Sequence, residues 1–172
     1  PTVTGGKAPT SDLGRRTLVG VLMAAIAIAA LWLGGTALWA LATAGALVAL
    51  VEWGGLVGAD RARLSIGIVI LAVAMTYAVP ALWGTDRSTV ALLVIAALLL
   101  ALVPRSGAVA LGIVYVGLGA IGLLFLRQQD HGFLLALWTL AIVWATDIGA
   151  YFAGRAIGGA KLAPSISPNK TW

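Results

Sequence analysis

Cysteine is absent from this sequence of 172 residues, and charged residues make up only 10% of it. Without cysteine there is no disulfide framework, no thiolate nucleophile and no thiolate metal site. Apolar residues make up 61% of the chain, and its mean hydropathy is +1.04. A soluble core of this size could not hide so much apolar surface from water. The composition therefore indicates an integral membrane protein, and no polar block within these residues is long enough for a separate soluble domain.

Uncharged runs divide the sequence into candidate membrane spans. The 35 residues between Arg16 and Glu52 are too many for one helix that rises about 1.5 Å per residue across roughly 30 Å of hydrocarbon. Gly34 and Gly35 lie near the middle of this run and predict a tight turn. We therefore expect an all-α fold, a polytopic membrane helix bundle with about six transmembrane helices. The expected helices are residues 17–33, 37–57, 64–85, 88–104, 106–126 and 132–152.

The distribution of lysine and arginine predicts the orientation, because these residues are retained in cytoplasmic loops. Arg87 and Arg127 lie on one side of the expected bundle, and nine basic residues lie on the side of the N-terminus. The N-terminus is therefore expected in the cytoplasm. In a soluble protein the net charge of +5 would suggest nucleic-acid binding, but topology explains it here and no nucleic-acid partner is expected. The nine residues are Lys7, Arg15, Arg16, Arg61, Arg63, Arg105, Arg155, Lys161 and Lys170.

One carboxylate, Asp147, interrupts the sixth apolar run. It follows Gly132 by fifteen residues, which is about 22 Å of helix and roughly 8 Å short of the cytoplasmic edge. A carboxylate at that depth is costly unless it is paired, hydrated or bound to a metal. A structural ion pair with Arg155 is the alternative, but aspartate is too short to reach the interface, so a functional role is favoured. Tyr151 and Arg155 follow Asp147 by four and eight residues, close to one helical face.

A polar segment with the residue types that bind phosphate follows this helix. Its glycines expose backbone N–H groups, and its cations and hydroxyls supply further donors. A solvated linker would have a similar composition. We favour function, because acid, cation and hydroxyl residues all fall on the side of the membrane where nucleoside triphosphates are found. The donors of this segment include Arg155, Lys161, Ser167, Asn169, Lys170 and Thr171.

Two blocks of this region resemble a known family. Residues Asp147 to Arg155 follow the pattern Asp-x-x-Ala-Tyr-x-x-Gly-Arg, and residues Ser167 to Thr171 follow the pattern Ser-Pro-x-Lys-Thr. At this separation the blocks look like the central region of bacterial phosphatidate cytidylyltransferases, the CDP-diacylglycerol synthases. The Glu52-Trp53 pair at the end of an early helix also fits that family. The likeness in motif covers residues 147–172, and the hydropathy pattern matches over the rest.

The resemblance implies transfer of a cytidylyl group from CTP to phosphatidate, which gives CDP-diacylglycerol and pyrophosphate in phospholipid biosynthesis. It implies Mg²⁺ as cofactor and an active site that faces the cytoplasm from the bacterial inner (plasma) membrane, with a homodimer left open. By the motif match, Asp147 and Lys170 would be catalytic, and Asp147 would also be a metal ligand. The implied substrate-binding residues are Tyr151, Arg155, Lys161, Ser167, Asn169 and Thr171.

The sequence also departs from the pattern of this family. There the second block continues into Glu-Gly and further membrane helices with Lys-Arg, Lys-Asp, His-Gly-Gly and Asp-Arg-x-Asp, none of which is present up to Trp172. The chain is therefore expected to be an N-terminal portion that ends before the C-terminal signature. Its expected parts are a flexible polar tail at 1–14, a transmembrane helix bundle at 15–153 and a cytoplasmic polar motif segment at 154–172.

Two other classes of function stay open at this point. An ion-coupled, transporter-like bundle would place Asp147 on an ion path, although such folds more often carry polar residues at mid-depth in two related halves. A non-catalytic membrane subunit would depend on another polypeptide for the acidic signature.

We predict that the 172-residue chain by itself makes no CDP-diacylglycerol, because the second acidic signature is absent from it. Purified chain incubated with labelled CTP, phosphatidate and Mg²⁺ should yield no labelled lipid. Formation of labelled CDP-diacylglycerol above a boiled control would overturn this prediction.

Overall fold

The computed structural model describes residues 10–79, 85–157, 161–163 and 167–171, and it describes side chains for 14–15, 17–79, 85–150 and 152–154. It divides into two compact units, the first ending at Phe133 and the second beginning at Leu134. Within the described residues there are six helices and one strand pair. The elements are α1 Thr10–Leu33, α2 Gly35–Leu56, α3 Arg61–Tyr77, α4 Arg87–Ala101, α5 Gly107–Gln128, α6 Gly132–Ile157, β1 Lys161–Ala163 and β2 Ser167–Thr171.

The six expected helices are present, although several of their bounds differ from the expectation. The third helix was expected to reach residue 85, but α3 ends at Tyr77. Pro80 follows shortly in the sequence, and the ring of a proline disfavours helical geometry at the residue before it. At its other end α3 begins earlier than expected, because the Asp60 side chain accepts a hydrogen bond of 3.0 Å from the Arg63 amide and caps the helix. That bond holds the pKa of Asp60 below its usual value.

Three of the described helices are long and apolar enough to cross a membrane. They are α2, α5 and the part of α6 from Gly132 to Gly154. Two further apolar helices, Thr17–Leu33 and Arg87–Ala101, are shorter. Length and composition therefore confirm a helical membrane protein.

In the first unit, α5 is the central helix and contacts α2, α3 and α4, while α1 contacts α2. The interior consists of apolar side chains from four helices, including Leu50, Leu71, Leu93 and Ile113, none of which has exposed surface. Many other apolar side chains point outwards, as expected for a surface that meets hydrocarbon instead of water.

Glycines bring these helices close together. A Cβ added at Gly67 of α3 would lie 2.7 Å from Val109 of α5, and one added at Gly117 of α5 would lie 2.7 Å from Leu93 of α4. Real Cβ atoms essentially never come so close, so a larger residue at either position would displace Val109 or Leu93 from the observed packing. Small residues at helix contacts are the usual means of close packing in membranes, where burial from water does not drive helices together.

Arg127, near the end of α5, binds the end of α1 just before the turn into α2. Its Nε donates to the carbonyl of Leu31 at 2.8 Å, and its Nη2 donates to the carbonyl of Trp32 at 3.3 Å. These carbonyls belong to the last turn of α1, where no further amide of the helix can reach them. Gly34 and Gly35 make the turn with φ values of 62° and 50°, a region that favours glycine. The expected glycine turn is thus confirmed, together with a cap that the sequence did not reveal.

We predict that Gly34→Ala destabilises the protein more than Gly35→Ala. Both positions have a positive φ, where a side chain is strained, and Gly34, with ψ −152°, lies in a region that only glycine adopts readily. Only the Cβ at position 34 would also collide with Arg127, at 2.8 Å from its Nη2. Thermal unfolding in detergent should therefore show a lower Tm for Gly34→Ala. In an Arg127→Ala background the gap in Tm between the two alanine variants should narrow, because the collision is gone and only the difference in backbone strain is left. An unchanged gap between them in that background would show that Arg127 is not the cause.

Candidate active site

Asp147 lies in the second half of α6, with Gly132 at the start of the helix and Ile157 at its end. The side chain of Asp147 is exposed and has no ion-pair partner among the described side chains. The hydroxyl of the preceding Thr146 donates to the carbonyl of Ile142 at 2.8 Å, so it is satisfied within the helix. Of these two neighbouring polar residues, Asp147 is thus the one whose side chain has no partner among the described side chains.

The length of α6 sets how far Asp147 lies from the end of the helix. The helix has 26 residues and so spans about 39 Å, roughly 9 Å more than the hydrocarbon core. The candidate span ends at Gly154, which leaves the last turn of α6, including the backbone of Arg155, beyond the apolar stretch. This helix was expected to end near Phe152, but α6 continues to Ile157. Asp147 thus precedes the end of the helix by ten residues, or about 15 Å.

The polar segment after α6 contains an antiparallel strand pair, which was not expected from the sequence. Lys161 of β1 is the register partner of Thr171 of β2, and Ala163 is the partner of Ser167, with an irregularity between the two pairs. The pairing brings the backbone of the expected phosphate contacts at 161 and 171 together at one end of the hairpin. Asn169 and Lys170 lie on β2 between the paired positions.

Some of the expected site residues fall outside what the structure describes. The backbones of Tyr151 and Arg155 belong to α6, but their side chains lie outside the described residues. The same holds for the side chains of Lys161, Ser167, Asn169, Lys170 and Thr171. Their roles therefore stay predictions.

The fit to Mg²⁺ depends on how many ligands the chain offers. Among the described side chains, no three His, Asp or Glu residues lie together in a way that could hold a metal ion. These residues therefore provide no all-protein cage. A lone exposed carboxylate such as Asp147 suits a different arrangement, because Mg²⁺ is usually held by one or two carboxylates together with substrate phosphates and waters.

Trp53, of the Glu52-Trp53 pair, joins the last part of α2 to the start of α5. Its Nε1–H donates to the carbonyl of Ala108 in the first turn of α5 at 2.8 Å. Gly112 leaves room for the indole, since a Cβ there would lie 2.5 Å from its Cδ1. The indole also lies against the ring of Tyr115, with centroids 5.9 Å apart. Trp53 is thus an anchor between α2 and α5, and Glu52 is exposed beside it.

Comparison with known proteins settles the family. A sequence model described as the cytidylyltransferase family matches residues 14–172, which is nearly the whole chain. The chain belongs to this cytidylyltransferase family. The resemblance drawn from the two motif blocks is confirmed, and so is the assignment to the nucleotidyltransferases.

Curated relatives within the family carry the name phosphatidate cytidylyltransferase. The one from Brucella suis is 35% identical over 169 residues, which cover 94% of this chain and 62% of the relative. The one from Pseudomonas aeruginosa is 32% identical over 186 residues, which cover 93% of this chain and 64% of the relative. A shorter stretch of 48 residues is 57% identical to the Haemophilus influenzae protein and covers 28% of this chain and 17% of that one. The chain therefore spans less than two thirds of the first two relatives, and no solved structure matches it.

The hairpin register can be tested with introduced cysteines, because the natural sequence has none. Residues directly opposite in an antiparallel pair have Cβ atoms about 4.5–5.5 Å apart, close enough for a disulfide after small adjustments. We expect Lys161→Cys with Thr171→Cys to form an intramolecular disulfide under mild oxidation, detected by mass spectrometry of the linked peptides. Lys161→Cys with Ser167→Cys is the matched control and should link poorly. Preferential linkage in the control pair would contradict the register.

Proposed function

We propose that the whole protein to which this chain belongs transfers a cytidylyl group from CTP to phosphatidate, giving CDP-diacylglycerol and pyrophosphate. The observation that carries the proposal is the family match over residues 14–172, which includes both motif blocks. The names of the relatives supply the lipid substrate, since they are phosphatidate cytidylyltransferases. Because the chain spans only 62–64% of those relatives, the activity is proposed for the whole protein.

The reaction needs no covalent intermediate on the protein. An oxygen of the lipid phosphate attacks the α-phosphorus of CTP and forms a new P–O bond. The bond from the α-phosphorus to the oxygen that bridges it to the β-phosphorus breaks, and pyrophosphate leaves with both electrons of that bond. Such a transfer depends mainly on alignment of the two phosphates and on stabilisation of the charge that develops. A bound Mg²⁺ supplies part of this charge stabilisation.

Residues of the second unit would supply the rest. Asp147 would orient the nucleotide through the metal that the triphosphate carries, which requires one accessible carboxylate. Lys170 would stabilise negative charge on the transferring or leaving phosphate. The strand pairing of Lys161 with Thr171 supports a shared role for these two positions in holding phosphate oxygens. The further substrate contacts in this proposal are Tyr151, Arg155, Ser167 and Asn169.

The proposed topology has six spans, with the N-terminus and the polar segment in the cytoplasm of a bacterial inner membrane. Basic residues of the first unit support it. Arg61 and Arg105 belong to the end where Trp53 joins α2 to α5, whereas Arg87 and Arg127 belong to the end where Thr85 bonds to Gln128. With Arg63 the first end is the more basic, as expected for a cytoplasmic face. The active site would then face the compartment that contains CTP.

We predict that Asp147→Asn and Lys170→Ala in the full-length protein each lower the turnover of CTP with phosphatidate on the order of 10²-fold, the usual cost of losing one preorganised charge. Conversion of labelled CTP to labelled lipid in detergent micelles is the measurement. Asp130→Asn and Lys7→Ala are matched controls, because Asp130 is exposed in the loop after α5 and Lys7 lies in the expected tail. Both controls should keep normal turnover.

Two results would contradict the proposal in different ways. Normal turnover in both site variants would remove Asp147 and Lys170 from the site while leaving the reaction in place. Absence of lipid product from the unaltered full-length protein, with CTP hydrolysis or ion transport instead, would refute the reaction itself.

A further inference from the structure

A groove of about 570 Å³ runs along the outer side of the first unit between α4 and α5. Its floor on α5 is formed by Leu118, Ile121, Gly122 and Phe125, which follow the i, i+3, i+4, i+7 spacing of one helical face. This face is about 10 Å long. Val90 of α4 lines the other side. The volume lies within the range of about 300–1,000 Å³ that is usual for sites that hold small molecules.

Gly122 gives the groove its depth. A Cβ added at Gly122 would meet no atom within 4 Å, so the space above this residue is open. Leu118 and Phe125 flank it with 40% and 48% of their surface exposed. The floor is therefore an accessible apolar channel on a helix that is a candidate membrane span.

Two opposite charges stand at the polar end of this groove. Arg87 is the first residue of α4, Asp86 is its N-cap, and both line the groove and are exposed. The guanidinium of Arg87 has no ion-pair partner among the described side chains. Thr85, the third polar residue there, already donates its hydroxyl to Gln128 Oε1 at 2.8 Å. The charged groups that remain for a ligand are thus one cation and one anion on adjacent residues.

Asp86 keeps its negative charge at neutral pH. Its Oδ1 accepts hydrogen bonds from the Ser88 hydroxyl at 2.6 Å and from the Thr89 amide at 3.0 Å. The bond from Ser88, and then that from Thr89, hold the pKa of this carboxyl below its usual value. An ionised carboxylate beside Arg87 disfavours a ligand with only negative charge and favours one that carries both signs.

We propose that this groove binds one zwitterionic phospholipid with a phosphoethanolamine headgroup. The lipid phosphate lies against Arg87 and its ammonium lies against Asp86. The upper part of one acyl chain lies over Gly122, between Leu118 and Phe125. The apolar channel with an adjacent cation and anion at its mouth matches the order of groups along such a lipid, from hydrocarbon to headgroup. This site takes neither CTP nor phosphatidate, so it does not depend on the proposed transfer reaction.

Native mass spectrometry of the full-length protein in a mild detergent can test the groove. Lipids with phosphoethanolamine or phosphoglycerol headgroups and identical acyl chains are the probes. We expect the first lipid molecule that binds to do so about tenfold more tightly when its headgroup is phosphoethanolamine than when it is phosphoglycerol. This factor corresponds to one additional charge-assisted hydrogen bond. Gly122→Leu should abolish this preferred binding by filling the channel. Gly119→Leu is the matched control, since it lies on the same helix in open space outside the groove and should bind as the unaltered protein does.

Charge variants test the headgroup independently of the channel. Arg87→Gln should weaken phosphoethanolamine lipid binding about tenfold, while Arg61→Gln, also the first residue of an aspartate-capped helix, should not. Asp86→Asn retains a residue that caps helices well and should abolish the preference over phosphoglycerol lipid. Equal binding of both lipids to the unaltered protein, undiminished binding of phosphoethanolamine lipid to Arg87→Gln, or an unchanged preference in Asp86→Asn would overturn the proposal. Stronger binding of phosphoglycerol lipid would overturn it as well.

Discussion

The first unit depends on one requirement, which is that every backbone polar group at the ends of its apolar helices finds a partner. Burial from water does not drive helices together in a membrane, whereas an unpaired carbonyl there costs several kcal/mol. Arg127 of α5 meets this requirement for the last turn of α1. The Nε1–H of Trp39 on α2 in turn donates to the carbonyl of Met75 near the end of α3 at 2.7 Å, and this carbonyl also accepts from the Ala78 amide. With Trp53 at the opposite end of α2, these bonds connect the helices and give the bundle its register.

The residues of the proposed site are concentrated in the second unit. The described helices of the first unit place charge mainly at their ends and fill their interior with apolar residues. Asp147, in contrast, stands inside an apolar helix, and the hairpin that follows carries lysine, serine, asparagine and threonine. This division suits an enzyme whose lipid substrate lies in the membrane and whose nucleotide comes from water. The α4–α5 groove adds a second lipid contact on the scaffold, at the mouth marked by Asp86 and Arg87.

Sequence reasoning predicted the helices because apolar runs, charges and glycines mark them directly. The expected end of the third helix is too late, since Pro80 disfavours helical geometry at Val79 and has no N–H to donate to the carbonyl of Thr76. The hairpin was not predicted, because Ser167–Thr171 is polar, contains a proline and lacks the alternation of a half-buried strand. Arg127 was counted only as a loop charge, and its role as a cap depends on the position of α1, which no local pattern encodes. The family was predictable from two short blocks, while the roles of single site residues depend on geometry around a bound nucleotide.

The central claim is that α6 and the hairpin hold the nucleotide. Photolabelling of the full-length protein in membranes with a radioactive azido-CTP, followed by mapping of the labelled peptides, tests it most directly. The account predicts that the label falls within residues 147–171 and that unlabelled CTP with Mg²⁺ competes it away, whereas ATP does not. Label confined to peptides of α1–α5, with the same competition by CTP, would contradict it.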